Sequence, residues 1–278
     1  MSTITSAVPT TVRSRAPLSA LSFGGILGSE WIKLRSLRST VWSYLITIAL
    51  SLGMAPVMLL SAVNGTNDDA DTSGAPIEQV QLLLQSSTFG IFFGQLVVAV
   101  LGVLVISGEY STGMIRSTLT AVPRRLPALA AKAVVLFLAT FVVGATGTIG
   151  AFFLSSVIFR PNGVSASLVD PAVILPLLGG ALYLAIVAVF ALGVGAILRS
   201  SAGGIAAVLG VLLLLPVVLR MIPADWSHAM TPYLISNAGA NLFATTGGLS
   251  TWQNLLIVLG WMGASIAGAG ILLRQRDA

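Results

Sequence analysis

The sequence has few charged residues and no cysteine. Of its 278 residues, 8% are charged and 56% are hydrophobic, whereas about 25% of the residues of a typical soluble domain are charged. Most of the chain therefore cannot face water, and the composition indicates an integral membrane protein. The lack of cysteine excludes disulfides and thiol-ligated metals.

Several kinds of chemical site are also missing. The chain has no G-x-x-x-x-G-K-[ST] motif, which excludes a P-loop nucleotide site. His228 is its one histidine, which excludes His-rich zinc sites and the His-Glu sites of membrane proteases. We expect His228 to be solvated or bonded locally. We predict no catalytic residue, no metal site, no cofactor in this chain and no nucleic-acid partner, since the basic residues do not alternate with aromatics on a polar face.

Six apolar stretches are long enough to cross a hydrocarbon core of about 30 Å as helices. They lie at about 41–63, 89–106, 133–158, 172–198, 203–222 and 254–273. We therefore predict an all-α, polytopic membrane protein with six transmembrane helices. The second stretch is short, and the fifth carries Pro216. The middles of the six stretches contain no Asp, Glu, Lys, Arg or His, which disfavours an ion-driven carrier.

The basic residues predict the orientation in the membrane. Of the 14 Lys and Arg residues, all except Arg160 and Arg220 fall in the N-terminal segment, the second and fourth loops, or the C-terminus. Under the positive-inside rule, both termini are then cytoplasmic, and the predicted location is the plasma membrane. Residues 1–23 are rich in Ser, Thr and Pro and have no apolar core, which predicts a disordered cytoplasmic tail.

A short amphipathic helix is predicted between Gly24 and Arg38. Its apolar side carries Leu27, Trp31, Leu34 and Leu37. A basic helix of this kind, with a tryptophan, is typical of the headgroup region of a membrane. Glu30 falls within the apolar arc, and we expect it to pair with Lys33 at i, i+3. Contact of Glu30 with a partner protein is the alternative.

A polar, basic island at 107–132 separates the second and third apolar stretches. Within it, Ile115, Leu119 and Val122 recur at i, i+4 and i+7, and Pro123 follows them. This spacing predicts a short helix with one apolar face. We interpret it as a helix displayed in the cytoplasm for another protein to bind. An ordinary solvated loop is the alternative.

Residues 223–253 are too polar to span a membrane and too apolar for a free loop. They predict one or two short helices at the outer surface, and Trp226 and Trp252 are typical of an interfacial belt.

Small residues are frequent in the predicted spans. Gly90 and Gly94 have a G-x-x-x-G spacing, and the last span carries Gly260, Gly263, Gly268 and Gly270. Such residues let helices approach closely, and we favour packing within one subunit over packing between two copies. We expect the hydroxyls of Thr140, Ser155 and Ser156 to bond to their own helix backbone.

The pattern resembles the permease subunits of type 2 ABC transporters, in the form common in high-GC Gram-positive bacteria. The resemblance rests on SEWIKLRSLRSTVW at 29–42 and SGEYSTGMIRSTLTAVPRR at 107–125, with Lys132 following. PYLISNAGANLF at 232–243 is a weaker match. The resemblance implies that residues 24–278 are the transmembrane domain of a half-transporter. Its implied partners are membrane lipids, a second identical or similar permease, and two copies of a cytoplasmic ATPase that holds ATP and Mg²⁺.

The resemblance also implies roles for individual residues. The segment that couples to the ATPase would contain Glu109, Tyr110, Gly113, Met114, Ile115, Arg116 and Leu119, with Arg124 and Arg125 as a basic flank. The interfacial connecting helix would contain Glu30, Trp31, Lys33, Leu34 and Arg35. The short extracellular helices would contain Pro232, Asn237 and Phe243.

These observations lead to one functional hypothesis. The chain is expected to be the non-catalytic membrane subunit of an ATP-driven exporter of a hydrophobic or amphiphilic compound, such as a lipid-like molecule, a peptide or a drug. Two alternatives stay open. One is an ion-coupled or passive carrier, and the other is an immunity or binding protein that works without turnover.

Overall fold

The computed structural model describes residues 23–65, 76–111, 125–159, 166–244 and 249–275. Every regular element within these ranges is helical. The helices are α1 (Phe23–Ser36), α2 (Arg38–Gly65), α3 (Pro76–Phe89), α4 (Ile91–Ser111), α5 (Arg125–Phe159), α6 (Pro171–Leu198), α7 (Ser201–Met221), α8 (Asp225–Met230), α9 (Ile235–Ala240) and α10 (Thr251–Gln275).

Six helical regions are long and apolar enough to cross a membrane. They are Arg38–Ser61, Val80–Tyr110, Leu126–Phe159, Pro171–Leu198, Ser201–Met221 and Thr251–Gln275. The predicted all-α class with six spans is therefore confirmed. The second span is longer than the predicted 89–106, because α3 and α4 follow each other with only Gly90 between them. The third begins earlier than 133, which places Lys132 inside α5 rather than in a loop.

α6 forms the centre of the bundle. Its sequence is apolar all round, and it packs against α4, α5 and α10, as expected for a helix without a polar face. Small residues bring these backbones together. A Cβ atom added at Gly102 of α4 would overlap the carbonyl oxygen of Ala188, and one added at Gly144 of α5 would lie 3.0 Å from the Cα of Ala181. Close backbone approach of this kind strengthens helix packing in membranes through van der Waals contacts.

The predicted packing role of glycines within the subunit is confirmed for part of the set. A Cβ at Gly90 would lie 2.5 Å from the Cα of Ser51 on α2. Added Cβ atoms at Gly268 and Gly270 would each lie 3.2 Å from a side-chain carbon, of Ile197 and Leu126 respectively. Gly260 and Gly263, in contrast, have no described neighbour within 4 Å of that position.

Hydroxyl groups in the spans join different helices more often than predicted. Ser156 donates to the carbonyl oxygen of Phe153 in its own helix, as expected. The expectation is wrong for Thr140, whose Oγ1 lies 3.0 Å from the Tyr44 hydroxyl of α2. It is also wrong for Ser155, which accepts from the Ser86 hydroxyl of α3. Cross-helix partners are favourable here because no water competes for these groups within the bilayer.

α7 contains a turn of π-helix at Gly210–Leu214. The Leu215 N–H donates to the Gly210 carbonyl oxygen, five residues back, and Pro216 follows at once. A proline has no N–H and its ring crowds the preceding turn. The extra residue in the π turn accommodates this crowding without breaking the span.

The close contact at Gly102 generates a stability prediction. Gly102→Ala should destabilise the bundle by about 1–3 kcal/mol, because the added methyl forces α4 and α6 apart. Gly263→Ala is the control, and it should change stability by less than about 1 kcal/mol, since alanine is the better helix former and has open space there. The measurement is the temperature at which the purified protein in detergent loses its monodisperse elution peak. Equal melting of the two variants would contradict the packing of α4 on α6.

Candidate functional site

Four charged side chains meet at one end of the bundle, which we call the α1 side. Glu30 and Lys33 come from α1, Glu109 from the last turn of α4, and Lys132 from the early part of α5. The Lys132 ammonium lies 2.5 Å from Glu30 Oε2 and 2.8 Å from Glu109 Oε1. The Lys33 ammonium lies 2.9 Å from Glu30 Oε1 and 3.5 Å from Glu109 Oε1. We call these four residues the charge cluster.

The charge cluster is buried and formally neutral. Glu30, Glu109 and Lys132 are 4%, 8% and 6% exposed, whereas the side chain of Lys33 is 33% exposed. Burying ions costs several kcal/mol for each unless opposite charges and hydrogen bonds replace the lost water. Two carboxylates and two ammonium groups within bonding distance meet that requirement.

The pKa values in α1 follow from this geometry. Burial alone would raise the pKa of the Glu30 carboxyl, but the charge and hydrogen bonds of Lys132 and Lys33 outweigh it, and the pKa falls below 4.5. Burial would likewise lower the pKa of Lys33, but its bonds to Glu30 and Glu109 raise the pKa above 10.5. The stabilisation from Glu30 is thus present above its unfolded-state pKa and is lost as the pH falls through the lowered value. The stabilisation from Lys33 is present below its unfolded-state pKa of 10.5 and is lost as the pH rises through the raised pKa of the folded state.

A second set of contacts holds the other face of the last turn of α4. The guanidinium of Arg199 lies 5.3 Å from the centre of the Tyr110 ring, a cation–π contact. Arg199 ends α6 in the left-handed conformation, with φ of 53°, and its backbone N–H donates to the Gly195 carbonyl oxygen. One turn earlier in α4, Ser107 accepts from the hydroxyl of Ser201 at the start of α7. The end of α4 is therefore tied to α1 and α5 by Glu109 and to the α6–α7 junction by Tyr110 and Ser107.

The structure describes only part of the predicted coupling segment. Glu109 and Tyr110 belong to α4 and are placed as above. Six further predicted residues lie outside the described residues, namely Gly113, Met114, Ile115, Arg116, Leu119 and Arg124. Arg125 is the first residue of α5. The end of α4 and the start of α5, between which these six residues fall in the sequence, both lie on the side of the charge cluster.

The predicted connecting helix corresponds to α1. Leu34 is buried, Trp31 is 47% exposed and Arg35 is exposed. The expected contact of Glu30 with Lys33 is present, but it is not the whole environment of Glu30, because the Lys132 ammonium is closer. The role of Lys132 was not anticipated. The signal was the position of Glu30 within an apolar arc, since a carboxylate on a buried face requires a cation from another element.

A cavity of about 860 Å³ lies at the opposite end of the bundle. The predicted residues of the short helices, Pro232, Asn237 and Phe243, all contribute to its lining. Asn237 donates to the Thr231 carbonyl oxygen at 2.8 Å and accepts from Arg220 at 3.5 Å. Phe243 is buried, and its ring packs edge-on to Phe92. The structure therefore brings these three residues together around one space.

The comparisons with known proteins agree with this arrangement. The model of the ABC-2 family transporter proteins matches residues 26–215. The chain belongs to this family. It is a multi-pass membrane subunit of an ABC transporter, in a family that is generally non-catalytic and works in partnership with an ABC ATPase. No curated protein matches the chain.

The match covers most of α1, the whole charge cluster, four complete spans and most of the fifth, and it ends in α7 before Arg220. His228 lies in α8, beyond the match, with an exposed side chain. Within the described part of the chain, no group of three or more His, Cys, Asp or Glu residues could hold a metal ion.

The charge cluster generates a second prediction. Lys132→Met should cost about 3–5 kcal/mol of stability, because it leaves two buried carboxylates with only Lys33. Adding Glu109→Gln to that variant should recover part of the loss, since the remaining Glu30–Lys33 pair is neutral. Thermal unfolding of the single and double variants gives the coupling energy.

Lys33→Met is the matched control for that cycle. It should cost less than Lys132→Met, because the Lys33 ammonium is partly solvated. Strictly additive losses from Lys132→Met and Glu109→Gln would show that the two residues do not act as a pair.

Proposed function

We propose that this chain is the membrane subunit of an ATP-driven exporter of hydrophobic or amphiphilic compounds, and that its ATPase acts on the bundle through residues 107–132. The observation that carries this proposal is the charge cluster. It joins the two ends of the 112–124 segment, through Glu109 and Lys132, to α1. A force applied to that segment is thereby applied to three helices together.

In this proposal, ATP binding draws two ATPase subunits together, and each carries the coupling segment of one permease copy with it. The last turn of α4 moves with the segment. Because Glu109 is bound to Lys132 and Tyr110 lies against Arg199, α1, α5 and the α6–α7 junction follow. Access between two permease copies then changes as a rigid-body shift of packed helices.

An apolar cargo is supported by the composition of the spans. The one ion-paired group in the described residues, the charge cluster, is at the α1 side of the bundle. Long stretches of the membrane-spanning helices carry exposed apolar side chains, among them Leu138, Val142 and Leu214. A pathway between such helices favours a hydrophobic or amphiphilic molecule over an ion.

The orientation generates a third prediction. The chain has no native cysteine, so single cysteines at Asp69 and Arg125 can be labelled without background. An impermeant maleimide added outside the cell should label Asp69→Cys only, whereas Arg125→Cys should require a permeabilised membrane. This outcome follows if the α1 side and both termini are cytoplasmic. Labelling of both positions from the same side would contradict the six-span orientation.

The coupling role generates a fourth prediction, in which docking and transmission are separated. Arg116→Ala should weaken co-purification of the ATPase, because Arg116 is proposed to contact it. Glu109→Gln should leave co-purification intact but reduce cargo-stimulated ATP hydrolysis and transport about tenfold or more, because it cuts the bond from α4 to Lys132. Arg274→Ala is the control, since Arg274 is an exposed residue in the last turn of α10.

The readouts are the amount of ATPase retained on the tagged permease and the rate of ATP hydrolysis in reconstituted vesicles. If Arg116→Ala and Glu109→Gln both assemble, hydrolyse ATP and transport like Arg274→Ala, the proposed coupling through 107–132 is wrong. Transport driven by an ion gradient without any ATPase would favour a carrier instead.

A further inference from the structure

The cavity at the end opposite the charge cluster has walls from α4, α6, α7 and the residues that follow α7. α4 contributes Ile91, Phe92 and Gln95, and α6 contributes Tyr183. The π turn and the end of α7 contribute a third wall, and residues between Thr231 and Phe243, together with Leu249, contribute the fourth. The volume of about 860 Å³ is within the range of about 300–1,000 Å³ that is usual for small-molecule sites.

The polar groups of this cavity favour an anion. Arg220 is the one charged side chain among the lining residues, all of which lie in the described part of the chain. Its single hydrogen bond in that part is the 3.5 Å contact with Asn237, which leaves most of its five N–H donors available. Ser236 also lines the cavity, and its hydroxyl oxygen is buried without a partner among the described residues. An unpaired buried hydroxyl is unfavourable until a ligand or water bonds to it.

The remaining polar groups do not offset the positive charge. The Tyr183 hydroxyl donates to Gln95 Oε1 at 2.5 Å, and the Gln95 amide donates to the Phe92 carbonyl oxygen. These two side chains therefore satisfy each other and the backbone. None of the described residues that line the cavity is a carboxylate, so none of them neutralises Arg220.

Apart from Thr231 and Asn241, the rest of the lining is apolar. Phe92 and Phe243 pack edge-on with ring centres 5.9 Å apart, and the π turn adds Leu212 and Leu213. π turns inside α-helices occur frequently at functional sites. α9 packs closely against Tyr183 beside the cavity, because a Cβ atom added at Gly239 of α9 would overlap the Tyr183 ring.

We propose that this cavity binds an amphiphile with one acidic head group and an apolar body. The head lies against Arg220, Asn237 and Ser236, and the body lies against Phe92, Phe243 and the π turn. Binding itself requires no ATPase. The further statement that this amphiphile is the cargo rests on the proposed export function, and it narrows the cargo to molecules that carry an acidic head.

The test uses two probes that share a palmitoyl chain. Lysophosphatidic acid has an anionic head, and lysophosphatidylcholine has a zwitterionic one. The purified full chain, without ATPase, is placed in nanodiscs of zwitterionic lipid, and empty nanodiscs give the background. We expect the wild-type chain to bind lysophosphatidic acid about tenfold more tightly, the size of one charge-assisted hydrogen bond. An excess of inorganic phosphate should not displace it, because the apolar body contributes to affinity.

Two pairs of variants localise the binding. Arg220→Gln should remove most of the preference for the anionic head, whereas Arg274→Gln, at the other end of the bundle, should keep it. Leu213→Trp should weaken both probes by filling the cavity. Leu214→Trp is the matched control, because Leu214 is the next residue of the same π turn, is also partly exposed and does not line the cavity.

Each result bears on the inference. Equal affinity for the two probes in the wild-type chain would overturn the acidic-head preference, and so would an unchanged preference in Arg220→Gln. Displacement by inorganic phosphate alone would show a simple anion site instead. Binding in Leu213→Trp like that in Leu214→Trp would show that the probes bind elsewhere. The binding experiment contains no ATPase, so a negative binding result would not count against the coupling of the ATPase through residues 107–132. Likewise, a negative result in the coupling experiment would not count against binding in this cavity.

Discussion

An ionised side chain at the boundary of the hydrocarbon region is stable only when opposite charges and hydrogen bonds replace its water. The charge cluster satisfies this constraint with two carboxylates and two ammonium groups drawn from three helices. No helix can supply the whole set, because α1 carries Glu30 and Lys33 while Glu109 and Lys132 come from α4 and α5. Movement of one helix away from the others would expose a buried ion. The balance of charge therefore keeps α1, α4 and α5 together at this end of the bundle.

α4 connects this end of the bundle to the cavity at the other. Glu109 lies in its last turn and Phe92 in its first, a separation of about 25 Å at 1.5 Å per residue. Between them, α4 packs backbone to backbone on α6, since a Cβ atom at Gly195 would lie 3.1 Å from the Cα of Val103. A closely packed helix of this kind moves as a rigid body rather than bending along its length. If the ATPase displaces Glu109 as proposed, the position of Phe92 in the cavity wall would therefore change.

The sequence predicts the class and the number of spans well, because long apolar runs in a chain this poor in charge are stable chiefly as helices within a bilayer. The starts of helices are harder to place. Pro127 suggests a loop, yet it lies in the first turn of α5, where no N–H partner is needed. Ser86 and Ser87 suggest that the second span begins later, yet both are buried in α3 and donate to backbone carbonyl oxygens. The sequence predicts the contact of Glu30 with Lys33 but not its second partner, since Lys132 is 102 positions away along the chain and only packing brings the two together.

The two ends of the bundle differ in how their charges are balanced, and this difference separates their roles. In the charge cluster, every ion has an opposite charge within 3.5 Å, so a ligand would have to break those bonds to bind. Arg220 has no acidic partner among the described residues and lies at the edge of an apolar space. Its charge is therefore available to an incoming anion, which has no described carboxylate to displace. A balanced cluster is suited to hold helices in place, whereas an unbalanced cation beside an apolar cavity is suited to select what binds.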